Sequence, residues 1–578
     1  MTFCVTYEKK DGVFCFEAQN EERSTPSPIR FSKKGDSACI GEVFSESLEG
    51  LFDLKWVDDP SLLNKPDLAI AMVRYDESGC YFATNYSALE PLYFYKSDKF
   101  FILSDDFWAI CKKVKPSFDD LDVDVIARKI ALCGAMCECA SMIKGLEWVP
   151  GNRWGHFDAK TGEFELKPFS RFVHSNRERS IDEVVDEVDA KINEGMKGLV
   201  KAFPGKTFGL GLSGGLDSRA ALHYLLANGA KVACFNQCTK RPHGVLLANS
   251  LKRAHEIAKA SGVSCVDVDW KSNDIAEKKE LQMRLAPLAL TDNVYKYETV
   301  GMPDYDVLIT GGAGAALIVG GLPDGVSNYS KKDLVDCIVA SLMDFSSPYS
   351  IDQMIVTTWL VAHGLKKDSG DKYKEVWDKV AGEEVYANVR RNVEIYVDDL
   401  LSEGISAADV LFEYDSIYSV GLTRHGAFET RFGQCRSFCY NRPFIIDLVN
   451  DVPVKFLENR LILRELIKRK MPEFEGIAEE NYGSADGKKK SGIASFLGKI
   501  EFFVRGTGVR SVEWHAKDAA VKKAFFNDMQ NQCEWFYRAF DLSDDVKSIW
   551  RMSPMRKNAI WDMKRFVDCI ETQRYLDF

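Results

Sequence analysis

The segment Ser213-Gly214-Gly215-Leu216-Asp217-Ser218 combines small residues, two hydroxyls and a carboxylate directly after the apolar run Thr207 to Leu212. Such a run reads as a buried strand that delivers its loop to the carboxyl edge of a sheet, where the amides opening the next helix face an anion. Ser213, Gly214 and Gly215 are small enough for the main chain to approach phosphate oxygens, and the hydroxyls of Ser213 and Ser218 add donors. Asp217 is the exception in such a cradle. A carboxylate beside phosphate needs a divalent cation between the two, so it predicts bound Mg2+ with Asp217 as its ligand. The whole stretch from Leu212 to Ser218, Leu212 and Leu216 included, is therefore the candidate binding loop, although it lacks the Gly-Lys-Ser/Thr ending of a Walker loop. The plain alternative is a tight strand-to-helix turn with a capping aspartate.

The elements that must hold this loop lie on either side of it. Ser180 followed by Glu183 forms a capping box, and Val184, Val188, Ile192, Met196 and Leu199 continue at helical spacing. After the turn Pro204-Gly205 come a strand over 207–212, a helix over 218–227 stopped by Asn228-Gly229, and a strand over 232–235. A helix over 243–261, the stop Gly262 and a strand over 263–268 repeat the pattern, and consecutive βα units imply a parallel sheet. Val307 to Leu322 is uncharged but too short to span a membrane and is broken by glycines, so it reads as a buried strand and a glycine-rich loop. Beyond residue 270 helices dominate. Ser511 to Phe578 has tryptophans and charges at helical spacing, which predicts a helical appendage covering the sheet.

The first part of the chain has a different pattern. Gly12 to Phe16, Leu68 to Val73, Cys80 to Ala83 and Pro91 to Tyr95 are short apolar runs between turn residues, and Trp148 to Trp154 sets a Pro-Gly turn between extended segments. The β-rich region ends near Phe172, placing a boundary near residue 175. The expected fold is α/β: a β-rich α+β sandwich over residues 1–175, then a parallel-sheet domain over 176–578 with its α/β core at 205–450 and a helical tail at 451–578. A chain of 578 residues is too long for one core, which agrees.

Composition narrows the partners. A net charge of -11 without long blocks of either sign argues against a nucleic-acid footprint. The N-terminus has no basic region leading into an apolar one, so a cytoplasmic protein without a membrane partner is expected. The 16 cysteines are scattered and lack a paired C-x-x-C framework, which reads as free thiols in a reducing compartment. Small molecules or proteins are the expected partners, and a homo-oligomer is allowed.

Ser-Gly-Gly-Leu-Asp-Ser resembles the pyrophosphate loop of the asparagine synthetase family, which is similar in turn to β-lactam synthetases and lasso-peptide cyclases. Thr84 to Tyr93 looks like that family's segment ending in Pro-Leu-Tyr, Leu146 to Gly151 like its later Pro-Gly turn, and Arg442 to Asp447 like its Pro-Phe-Leu-Asp segment, followed by the helix from Leu461 to Arg464. The resemblance implies an Ntn-like glutamine-amidotransferase domain followed by an ATP-pyrophosphatase domain, with ATP and Mg2+ as cofactors. It implies adenylation of a small-molecule or peptide carboxylate and amide formation with an amine or ammonia. Asn236, at the end of the second strand, is then placed to meet the adenine.

Three departures qualify the resemblance. Glutamine-using members have a cysteine right after the initiator methionine; here that position is Thr2, and Cys4 lies too deep to own the α-amine. Thr2 is a candidate nucleophile only if Met1 is removed. The family's second acidic loop appears as Thr310-Gly311-Gly312-Ala313-Gly314-Ala315-Ala316, where Gly311 keeps a cofactor-contact position but both acidic positions are alanine. Asp217 loses the partner that shares its Mg2+ unless Asp304 or Asp306 compensates. After Pro472 the family's Arg-x-Lys is replaced by Glu480-Asn481-Tyr482-Gly483, leaving Lys488 in the run Lys488-Lys489-Lys490 as a candidate catalytic cation, with a solvated loop as the plain alternative. No histidine pairs with a nearby acid in a way that suggests a separate hydrolase. The expectation is an ATP-dependent amide-forming ligase without glutamine hydrolysis; the alternatives are a catalytically degenerate nucleotide- or partner-binding relative and a glutamine-hydrolysing asparagine synthetase.

Overall fold

The computed structural model describes residues 2–21, 29–34, 36–43, 52–64, 68–85, 92–132, 138–174, 177–237, 245–270, 279–280, 283, 288, 299–300, 303–310, 322–323, 325–346, 383–414, 435–438, 450–458, 460–478, 519–530, 533–540, 546–550 and 554–577. Strands come first: β1 (Thr2–Lys10), β2 (Val13–Glu21), β3 (Ile29–Lys34), β4 (Ser37–Val43), β5 (Leu68–Asp76), β6 (Gly79–Thr84), β7 (Tyr93–Lys96) and β8 (Phe100–Ser104). Helices α1 (Phe107–Val114) and α2 (Val123–Ala131) come next, then β9 (Leu146–Trp148), β10 (Arg153–Asp158) and β11 (Phe164–Pro168). They form two antiparallel sheets, ordered β2-β1-β8-β7-β9 and β11-β10-β6-β5-β4-β3. Alternate residues Phe3, Val5 and Tyr7 of β1 share one core with Val73, Tyr75, Phe82 and Phe157 of the other sheet, so the two stack face to face.

The second part opens with α3 (Ile181–Ala202), whose capping box forms as expected: Glu183 N–H donates to Ser180 Oγ at 3.2 Å and Ser180 N–H to the Glu183 carboxylate at 3.0 Å. Then come β12 (Thr207–Gly211), α4 (Leu216–Ala227), β13 (Lys231–Gln237), α5 (Val245–Ala260), β14 (Cys265–Trp270), β15 (Thr299–Val300) and β16 (Val307–Thr310). Helices α6 (Lys331–Ser346), α7 (Glu383–Ser402) and α8 (Ala407–Tyr414) precede β17 (Cys435–Phe438). The ladders β14-β13-β12-β16-β17 are all parallel, and β15 adds an antiparallel edge. The chain is thus mixed α/β, antiparallel sheets first and a parallel sheet with helices later. Strand β17 was not anticipated, because Cys435-Arg436-Ser437-Phe438 has no apolar run to mark it.

One face of β12 is apolar: Phe208 and Leu210 pack with Val188, Leu222 and residues of later helices. On its other face Gly209 carries no side chain, and a Cβ there would stand 2.5 Å from the Tyr305 ring. The chain closes with α9 (Val454–Leu457), α10 (Leu461–Lys470), α11 (Ala519–Gln530), α12 (Glu534–Phe540), α13 (Val546–Trp550) and α14 (Pro554–Glu571).

The expected helical appendage does not cover the parallel sheet. Phe525, Phe536, Trp561 and Phe566 share a core with Trp108, Ile126 and Ile130 of α1 and α2, and Tyr575 stacks on Trp108 with ring centroids 5.8 Å apart. Among the described residues, α3, α4 and α10 share the core under the parallel sheet, while α1 and α2 lie on the outer face of the first sheet. The appendage completes that outer layer. Among the described residues, no helix is long and apolar enough to cross a membrane.

Candidate functional site

The strand order β14-β13-β12-β16-β17 reverses between β12 and β16. An open parallel sheet leaves a crevice there, beyond the carboxyl ends of its strands, because the connections on either side lead away from each other. Ser213 to Ser218 leaves β12 at this point. Leu212 N–H donates to the Phe235 carbonyl at 2.8 Å, extending the ladder by a residue, and the Asn236 side chain donates to the Leu212 carbonyl at 2.6 Å. A carbonyl only accepts, so Asn236 presents its amide nitrogen to Leu212 and turns its oxygen away. Buried Asn236 therefore fixes where the loop begins.

Helix α4 begins at Leu216, two residues before the expected start. Gly215 takes the N-cap position with φ -75° and ψ 168° and offers no capping side chain to the first turn. The loop's hydroxyls turn inward. Ser213 N–H donates to Ser218 Oγ and Gly215 N–H to Ser213 Oγ, both at 3.1 Å, and the two hydroxyls lie 3.3 Å apart. Ser213 and Ser218 shape the cradle before they serve any ligand.

Asp217 falls in the first turn of α4 rather than in the loop. Burial pushes its carboxyl up to about 6, and Arg460 opposes that shift. Arg460 Nη1 lies 3.9 Å from Asp217 Oδ1. This arginine was missed by sequence reasoning, which stopped one residue short of it at Leu461. It is the N-cap residue of α10 and holds φ 60°, ψ 30°, a left-handed conformation that side chains other than glycine adopt rarely. Two helix N-termini thus meet at the Asp217–Arg460 pair.

Helix α4 also grips a distant turn. Arg219 donates to the carbonyls of Ile477 at 3.0 Å, Ala478 at 3.1 Å and Gly214 at 3.4 Å, and its guanidinium lies over the Phe474 ring. One helical turn on, His223 Nδ1 is 2.5 Å from Glu473. Residues 473–478 are therefore clamped beside the glycine loop by two side chains spaced i, i+4. His223–Glu473, His174–Asp409 and His255–Asp267 all pair, the first two across more than 200 residues, a separation that local sequence reading does not reach.

Asp306 does not supply the missing acid. Its carboxylate accepts from Thr207 N–H at 2.8 Å and pairs with Lys206 at 3.0 Å, at the amino ends of β12 and β16, opposite the loop. Asp304 precedes it at that same end. Thr2 opens β1 opposite Glu21. Cys4 is buried, and burial pushes its thiol up to about 11, the condition of a packing residue. Gly311, Ala315, Ala316 and Lys488 lie outside the described residues, as do Arg442 to Asp447. Among the described residues no group of three His, Cys, Asp or Glu could hold a metal ion. Neither protein-family models nor curated proteins give a match to this chain.

Proposed function

We propose that the parallel-sheet part is a nucleotide site of the ATP-pyrophosphatase kind, joined to an Ntn-like sandwich. More particularly, we infer an asparagine synthetase-like ligase that adenylates a small-molecule or peptide carboxylate and forms an amide with an amine or ammonia, without hydrolysing glutamine. One observation carries the reading: an uncapped helix start, preceded by a glycine loop and carrying a carboxylate in its first turn, stands at the switch point of the sheet.

In the proposed reaction a substrate carboxylate oxygen attacks the α-phosphorus of ATP. The bond from that phosphorus to the bridging oxygen breaks and pyrophosphate leaves. An amine nitrogen then adds to the acyl carbon and expels AMP, and its proton passes to solvent. The amides of Leu216, Asp217 and Ser218 would bind the phosphates, and the side-chain oxygen of Asn236 would accept from the adenine amino group. Mg2+ held by Asp217 would offset the charge that builds on the departing pyrophosphate. Buried Cys4 and the alanines at positions 315 and 316 favour neither a glutaminase nor a two-carboxylate metal site.

Pyrophosphate exchange into ATP, screened with a panel of carboxylates, tests the reaction. Exchange that depends on one carboxylate class is the expected result. A panel with no exchange, together with tight ATP·Mg binding by calorimetry, would favour instead a degenerate nucleotide-binding relative, which the placement of Asp306 at the far end of the sheet makes the second reading. Asp217→Ala should abolish Mg2+-dependent ATP binding. Normal binding by that variant would remove the glycine loop from the site.

A further inference from the structure

We propose that Arg460 supplies, as a fixed guanidinium, the charge that a second divalent ion supplies in two-metal nucleotide sites, so that this site takes a single Mg2+ on Asp217. The inference rests on the nucleotide reading of the parallel-sheet part. It starts from a contact that neither motif nor spacing announces: Arg460 Nη1 stands 3.9 Å from Asp217 Oδ1. Arg460 is partly open, with 38% of its side chain exposed, so the guanidinium can reach an arriving phosphate without unfolding anything.

The backbone argues that this placement is selected. Arg460 holds φ 60°, a left-handed conformation that strains a residue with a Cβ, and such strain collects where a side chain must be aimed. Packing of the helix it caps offsets the strain: α10 runs from Leu461 to Lys470 with Ile462, Leu463 and Leu466 buried in the core shared with α3 and α4. Arg460 is therefore fixed at a helix start that is itself rigidly seated.

The acids around the site point the same way. Asp306 is engaged by Thr207 and Lys206 at the opposite end of β12, and Glu458, two residues before Arg460, accepts from Gly325 N–H at 3.0 Å. Among the described residues no three-ligand metal group exists. A triphosphate holding one divalent ion still carries net negative charge, and among the described residues the guanidinium of Arg460 stands beside Asp217 at the start of α10. Arginine suits the role because its planar fork donates to two phosphate oxygens at once and stays charged at any working pH.

The experiment uses the full chain, ATP and Mn2+ as the metal probe, with Mn2+ counted per bound nucleotide by electron paramagnetic resonance and nucleotide affinity measured by calorimetry. One Mn2+ per nucleotide is expected. Arg460→Ala should weaken ATP affinity about ten- to a hundredfold, and Arg460→Lys should recover part of it. Arg460→Gly guards against a misfolded variant, since glycine accepts φ 60° without strain. It should lose ATP affinity like alanine while its thermal midpoint stays at or above that of the parent. Two Mn2+ per nucleotide, or unchanged affinity in the alanine and glycine variants, overturns the role of Arg460 and leaves the nucleotide site standing. If the parent chain does not bind ATP with metal at all, both readings fall.

Discussion

At the scale of single residues, Asp217 exposes a conflict between folding and binding. Its carboxyl rises from 3.8 to about 6 because burial disfavours the charge more than Arg460 favours it. A carboxyl whose pKa is raised in the folded state costs stability wherever it is ionised there, so the cost is full above about pH 6 and fades as pH falls toward 4. That rise corresponds to at most about 3 kcal/mol. In metal-free protein, Asp217→Asn should therefore be more stable than the parent at pH 7.5, and the gain should shrink at pH 5. Urea unfolding at both values measures it, and a variant less stable at pH 7.5 would contradict the burial argument. The glycine loop and Asp217 were legible in the sequence because their neighbours in space are their neighbours in the chain. Arg460 was not, since 243 residues separate it from the carboxylate it faces.

At the scale of elements, α4 does two jobs. Its uncapped start faces the crevice, and its next two turns hold residues 473–478 through Arg219 and His223. The strands and helices over 181–268 were readable from caps, stops and periodicity, and the structure places their ends within a few residues of the expected ones. The Arg219 half of the clamp was not readable, because its acceptors are the backbone carbonyls of Gly214, Ile477 and Ala478, which no side-chain pattern reveals. Because one guanidinium bonds both segments, loosening one should loosen the other. Arg219→Lys keeps the charge but not the fork, so hydrogen exchange should quicken together in 213–218 and 474–478 while β13 and α3 keep their protection. Faster exchange in only one of the two segments would show that Arg219 does not couple them.

At the scale of the whole molecule, three distant parts of the chain meet in one polar contact set inside an apolar layer. Lys279 Nζ lies 2.5 Å from Asp562, both buried, and over the Trp561 ring, while Trp108 donates its indole N–H to the Met283 carbonyl at 2.9 Å. The middle of the chain is thereby fastened to the first helix of the sandwich part and to the last long helix. Burial raises the Asp562 carboxyl although Lys279 pulls it down, so the attraction does not fully offset the desolvation of the pair. Removing one partner leaves the other charged and buried. Lys279→Met should cost about 3–5 kcal/mol, and adding Asp562→Leu should restore most of the loss, because a matched apolar pair has nothing left to desolvate. Calorimetric unfolding of the parent and both variants measures this. If the pair joins the two sheet systems into one cooperative body, the parent melts in a single transition and the single variant separates it into two. A single variant within about 0.5 kcal/mol of the parent, the range of ordinary surface substitutions, would show that the contact fastens nothing.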